Sequence, residues 1–270
     1  MASWQGLADE AKLWSDAGRK GVLWWRDDDA VDASPALERL LTIQQEYAVP
    51  VSLAVVPAQA TPALAARLGE APDVDVLQHG YAHVNHAAAA EKKKMELGLH
   101  RPAMVVLGEL GTGWLALERL FGAQALAVMV PPWNRIAPPL VQTLPEIGFK
   151  GLSTFGPRLR PRPARGLLEI NTHVDLIDWK GERGFVGETA ALTVLVDALA
   201  RARVASPATS AEPVGILSHH LAMDGKAWDF LRSLWQRATI LPGLRISPAR
   251  TLFATETVPA GPFATGEANG

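Results

Sequence analysis

The segment Leu77-Gln78-His79-Gly80-Tyr81-Ala82-His83-Val84-Asn85-His86 places three of the chain's seven histidines within eight residues. His79 and His83 are four apart, so one helical turn, or a tight loop entering a helix, would aim both imidazoles at one metal ion. A third ligand must come from elsewhere. The run Arg26-Asp27-Asp28-Asp29 follows the apolar stretch Gly21-Val22-Leu23-Trp24-Trp25, and a strand there would deliver carboxylates to its own C-terminal end. Two neutral nitrogens and one carboxylate make an open catalytic site of the zinc type. Each piece also has a plainer use: a histidine pair can cap or decorate a surface, and an Asp cluster can form a solvated turn. Asp32 and Ser34 before Pro35 have the pattern of a helix cap.

Composition narrows the classes. The chain has 270 residues, 48% apolar and 20% charged, enough for a sizeable core and within the range of a single α/β barrel domain. With 26 basic and 28 acidic residues the net charge is −2, which gives no electrostatic reason to bind nucleic acid or an anionic membrane. Cysteine is absent, so a metal site must be built from His and carboxylate. The first twenty residues include Asp9, Glu10, Lys12 and Asp16 in place of the apolar core of a signal peptide. No window is apolar over the length of a bilayer. The expectation is a cytoplasmic protein without a membrane span.

The elements that would position these residues alternate. An amphipathic helix over Trp4 to Ala17 precedes a strand at Val22 to Trp25, and a helix from Pro35 to Tyr47 precedes a strand at Val51 to Val56. A short helix, Pro62 to Leu68, leads to a strand at Val74 to Leu77. Residues Ala87 to Phe121 are mostly good helix formers and predict two helices with a break near Leu99 to Arg101, the Glu91-Lys92-Lys93-Lys94 run lying on a solvated helix face. Strands follow at Ala125 to Val130, Gly151 to Thr154, Leu167 to Asn171, Val214 to Ser218 and Leu244 to Ile246. Helices are expected at Pro138 to Glu146, Thr189 to Ala202 and Ala227 to Arg237. Gly156 to Gly166 reads as a loop, Ser206 to Pro213 as a linker, and the Gly-, Ala-, Pro- and Thr-rich end as disordered. The expected organisation is an N-terminal helix over 1–20, a barrel over 21–255 and a tail over 256–270.

Strand followed by helix, six or seven times, argues a parallel sheet closed into a barrel. The polar clusters Asp27 to Asp29, His79 with His83, Trp133-Asn134, Asp178-Trp179 and His219-His220 each follow a predicted strand. In a barrel those ends share one face, where the clusters would converge.

This order, Asp-Asp, His-x-x-x-His, Pro-Pro-Trp, Asp-x-x-Asp-Trp and a strand ending in His, resembles the polysaccharide deacetylase (NodB-like) superfamily of carbohydrate esterases. The resemblance spans Val22 to His220. It implies a distorted (β/α)7 barrel and a divalent metal, Zn2+ by its ligands, used to hydrolyse acetamido or related C–N bonds. It also implies roles. Asp28 becomes the general base and Asp29 a metal ligand with His79 and His83, the shifted pair Asp27 and Asp28 being the alternative. Asp178 would orient the general acid His219, with His220 as second candidate. Pro132, Trp133, Asn134, Trp179 and His220 would contact substrate, and His86 would be structural. The sequence departs from the family where Val130 stands in place of the arginine that pairs with the base; Arg26 and Arg135 are the candidate replacements.

On this reading the metal lowers the pKa of a water and polarises the scissile carbonyl. Asp28 takes the water's proton, backbone N–H groups near Trp133 help hold the oxyanion, and His219 donates to the leaving amine. The substrate would be a small molecule or oligosaccharide: a nucleotide-linked, lipid-linked or free sugar amide. Two other readings are an inert sugar- or metabolite-binding protein using the same pocket, and a different metal hydrolase on a TIM-type barrel. The sequence does not fix the oligomeric state.

Overall fold

The computed structural model describes residues 3–205 and 211–254. In chain order its elements are α1 (Trp4–Asp16), β1 (Gly21–Ala30), α2 (Pro35–Tyr47), β2 (Val51–Val55), α3 (Pro62–Gly69), β3 (Val74–His79), α4 (Ala103–Phe121), β4 (Ala125–Val130) and α5 (Pro138–Thr143). Then come β5 (Gly151–Leu152), β6 (Leu168–Glu169), β7 (Thr172–Asp175), α6 (Glu188–Val204), β8 (Val214–Ser218), α7 (Gly225–Ala238), β9 (Leu244–Ile246) and α8 (Ala249–Leu252). Ser34 caps α2 by accepting from Leu37 N, with Pro35 preset for the first turn. Asp224 does the same for α7.

The strands form one parallel sheet in the order β6-β5-β4-β3-β2-β1-β8-β7, with β9 also on β1. β6 and β7 are two pieces of one broken strand. Beyond β5, Phe155 bridges Thr172 in parallel register, and Thr172 N donates to Thr154 O at 3.1 Å. The sheet therefore curls back on itself, giving the expected distorted barrel. β2, β3 and β8 are buried along their whole length, as parallel strands sandwiched between a lumen and a helical layer must be.

Side-chain parity sorts the two layers. Leu23, Trp25, Leu53, Val55, Val74, Val76, Val214 and Ile216 pack outward under the helices, whereas Trp24, Ala54, Leu77, Val128, Val130 and Ile170 pack inward with Phe253 of the C-terminal segment. On β1 this puts Arg26 and Asp28 on the inner face and Asp27 on the outer face.

Two expectations change. The stretch Ala87 to Leu99 is irregular, and the helix begins only at Ala103. Asn85 Oδ1 accepts from Met95 N, Glu96 binds the backbone of the preceding loop, and Leu97 is buried, so tertiary contacts override helix propensity there. The Asp cluster lies inside β1, which runs on to Ala30. Ser206 to Ser210 and the tail after Ala254 lie outside the described residues. Among the described residues no helix is long and apolar enough to cross a membrane.

Gly215 is packed tightly against the strand beside it: a Cβ there would lie 2.7 Å from Thr172 Cα and 2.8 Å from Asn171 O. Gly215→Ala should lower stability by about 1–3 kcal/mol, the usual cost of overpacking, read as a fall in the denaturant midpoint at unchanged m-value. An unchanged midpoint would contradict this packing.

Candidate metal and hydrolytic site

By parity Asp29 should point outward with Asp27. It does not, because β1 slips against β2: Asp27 pairs with Leu53 but Ala30 with Val55, three residues advancing against two. Asp29 sits in this bulge at φ 72, a left-handed conformation that costs a non-glycine residue energy. The bulge puts its carboxylate 3.1 Å from His79 Nε2 and 3.3 Å from His83 Nε2. One ligand atom from each of the three residues lies within 4.8 Å of the others.

The imidazoles are fixed from behind. His79 Nδ1 bonds the carbonyl of Val130 at 3.0 Å; a carbonyl only accepts, so Nδ1 carries a proton and Nε2 is the nitrogen that could bind a metal, as metal-binding histidines are commonly held. His83 adopts φ 59, and its ring packs on Trp133 at 4.5 Å between centroids. Burial alone would raise the Asp29 pKa, but the hydrogen bond and charge of His79, with the nearby His219 and His83, bring it well below the carboxylate range. Burial pushes His79 down, yet the hydrogen bond to Asp29 and the charges of Asp28 and Asp29 outweigh it and raise the pKa. His83 is lowered by burial and by its neighbour His79. An anion faced by two imidazole nitrogens, within 4.8 Å of one another, fits a divalent cation of the zinc type.

Asp28 is 2% exposed and inward-facing, in a two-pronged pair with Arg26: Nε to Oδ1 at 2.8 Å and Nη2 to Oδ2 at 3.0 Å. Arg26 also donates to Asn134 Oδ1 at 2.7 Å and Ser153 Oγ at 2.7 Å. It thus supplies the guanidinium that Val130 does not, from two residues upstream on the same strand. Arg135 instead donates to Lys94 O. Pro132 packs against Gly80, and Trp133 and Asn134 both take left-handed conformations at φ 53 and 55.

His219 stands at the end of β8, on the inner side, and its charge is one of those felt by Asp29. Its carboxylate neighbour is Asp175, with Oδ1 3.9 Å from His219 Nδ1, a buried nitrogen without a hydrogen-bond partner. Trp179 lies edge-on to His219 at 4.8 Å and donates its indole N–H to Asp175 Oδ2 at 2.9 Å. This corrects the assignment of Asp178, whose Oδ1 accepts from Lys180 N and Gly181 N in its own turn. Asp175 is the last residue of β7 and so reaches the mouth, whereas Asp178 is already past it. Burial raises the Asp175 pKa more than His219 lowers it.

His220 and Asp27 are brought together, but on the outer side. His220 Nδ1 bonds Asp27 Oδ1 at 2.5 Å, its N–H donates to Asp27 Oδ2 at 3.0 Å, and Ser218 Oγ donates to the same oxygen at 2.6 Å. This network anchors β8 to β1 beneath His219, so the geometry pairs Asp28 with Asp29 rather than Asp27 with Asp28. Sequence reasoning missed Asp175, which the strand-end rule could have found. It also missed Glu96, which gave no signal.

A scan of protein-family models and a search of curated protein sequences found no match. Solved structures do match. The chain is similar to a family 4 carbohydrate esterase from Streptomyces lividans, solved with acetate, at 16% identity and TM-score 0.53 over 84% of this chain and 92% of that one. A CE4 esterase from Streptococcus mutans matches at 14% identity and TM-score 0.54 over 89% and 90% of the two chains. The Bc1960 peptidoglycan N-acetylglucosamine deacetylase matches at 17% and 0.55 over 88% and 90%. The protein therefore has the fold of the NodB-like polysaccharide deacetylases that its motifs resemble.

Removing Arg26 would strand the buried Asp28 carboxylate without a counter-charge. Arg26→Ala should cost about 3–5 kcal/mol in urea denaturation, against about 0.5 kcal/mol or less for the surface change Arg135→Ala. Equal effects would contradict the pairing.

Proposed function

We propose that this protein is a metal-dependent hydrolase that removes an acetyl group from the nitrogen of an amino-sugar-containing substrate, free or within an oligosaccharide. The observation that carries the reading is the convergence of Asp29, His79 and His83, flanked by Asp28 with its arginine and by His219 with its aspartate. The esterases and deacetylases of the same fold support the carbohydrate amide as substrate class. The Arg26–Asp28 pair supports activity over the inert binding protein that the missing motif arginine had kept as an alternative.

Asp29, His79 and His83 would hold Zn2+, which supplies Lewis acidity to the scissile carbonyl and to the attacking water. Asp28 is held in one orientation by Arg26 yet keeps lone pairs on both oxygens, so it can take the water's proton as the new C–O bond forms. His219 donates its proton to the leaving nitrogen as the C–N bond breaks, giving acetate and a free amine. The Asp175 carboxylate on the Nδ1 side stabilises the cationic imidazole and leaves Nε2 for proton transfer. Trp133 and Trp179 flank the ligand and acid residues, where they would face the sugar and keep water out.

The test is acetate release from N-acetylglucosamine oligomers, with and without chelator. Turnover should stop on metal removal and return with Zn2+. His219→Ala should slow amide cleavage by about 10²–10⁴-fold but an activated aryl acetate far less, because a phenolate leaves without a proton. Asp28→Asn should slow both. Equal losses for amide and ester in His219→Ala would contradict the acid role, and undiminished turnover after chelation would contradict the metal.

A further inference from the structure

Glu96 is a buried carboxylate that the reaction above leaves unused. It is 1% exposed, and among the described residues no cation pairs with it. Its partners are three backbone N–H groups: Ala82 at 2.8 Å and Val84 at 3.5 Å on Oε1, and Tyr81 at 3.3 Å on Oε2. Ala82 and Val84 flank His83, and Tyr81 and Ala82 lie in the loop that runs from His79 to His83.

That loop has no regular structure to satisfy its donors, and buried N–H groups need partners. Its carbonyls are tied to another element, Tyr81 O accepting from Ala58 N and Ala82 O from Gln59 Nε2. Its bends are held at left-handed φ by Gly80 at 57 and His83 at 59. Converging N–H groups in such turns form a concavity for an anion, and here the anion is the chain's own. Gly80 makes the room: a Cβ there would fall 2.1 Å from Glu96 Oε2 and 2.6 Å from the Pro132 ring. Glu96 is held in turn, since its neighbour Met95 bonds Asn85 Oδ1 through N–H and His86 N through its carbonyl.

We propose that Glu96 is the positioning residue of the metal centre: it sets the loop so that His83 Nε2 faces Asp29, and it adds a buried negative charge that favours a bound cation. This rests on the reading of Asp29, His79 and His83 as metal ligands. A strut that served the fold alone would support stability and leave metal affinity untouched, which separates the two roles.

The experiment is Zn2+ affinity by competition with a chromophoric chelator, together with the visible spectrum of the Co2+ form and the thermal midpoint of the metal-free protein. Wild type, Glu96→Gln, Glu96→Asp, His83→Ala and the exposed-loop control Glu91→Gln are compared. Glu96→Gln should weaken Zn2+ binding by about 10–100-fold, the range for removal of an outer partner of a ligand, and alter the Co2+ spectrum. Glu96→Asp, too short to reach all three N–H groups, should fall between it and wild type, and Glu91→Gln should match wild type. Wild-type affinity and spectrum in Glu96→Gln, with binding lost in His83→Ala, would assign Glu96 to the fold alone. If Glu96→Gln does not fold, wild-type affinity and spectrum in Glu96→Asp would do the same. Wild type binding no more tightly than His83→Ala would remove the metal reading and this proposal with it.

Discussion

Everything at the mouth of this barrel depends on one irregularity, the slip of β1 against β2 between Asp27 and Ala30. In a regular strand Asp28 would face the lumen alone, with Asp27 and Asp29 behind the wall. The extra residue turns Asp29 back inside, so adjacent carboxylates take different tasks: Asp28 lies against Arg26, and Asp29 against two imidazoles. Bulges re-aim side chains in this way next to active sites. The third aspartate keeps its regular orientation and binds β8 to β1 from outside through Ser218 and His220.

The strain is concentrated at the same place. Asp29, His83, Trp133 and Asn134 are four of the six non-glycine residues with positive φ among those described, and each such residue costs on the order of 1–3 kcal/mol. Each is held by a contact specific to the site: Asp29 by His79, His83 and Trp133 by each other's rings, and Asn134 by Arg26. The surrounding barrel, with all its strand pairings parallel and a packed lumen below, is what keeps them there. If these residues hold the proposed cation, they are already placed around it, which limits the reorganisation needed on binding.

Much of the fold was legible. Buried apolar runs marked β2, β4 and β8 within a residue or two, and Ser34-Pro35 marked the start of α2. The strand-end rule, applied to polar clusters in order, brought Asp29, His79, His83 and His219 to one face. What the sequence could not carry was anything set by register or by a long-range partner. A bulge has no local signature in Asp-Asp-Asp, so the choice among the three waited for the pairing with β2. Arg26 as the partner of Asp28 follows from side-chain parity, but only once the strand is known to continue through the cluster. Ala87 to Leu99 reads as helix from its residue types and is irregular because Asn85, Glu96 and Leu97 each make a contact that a helix would break. Asp175 was passed over for Asp178, whose carboxylate is taken up by Lys180 N and Gly181 N in the turn after β7.

The central claim is that one cation bridges Asp29, His79 and His83. Its most direct test is an anomalous difference map from crystals soaked with Zn2+, recorded above and below the zinc absorption edge. The expected result is a single strong peak within bonding distance of Asp29 Oδ1, His79 Nε2 and His83 Nε2, on the side facing His219. A map with no peak there, or with its peak on other residues, would contradict it.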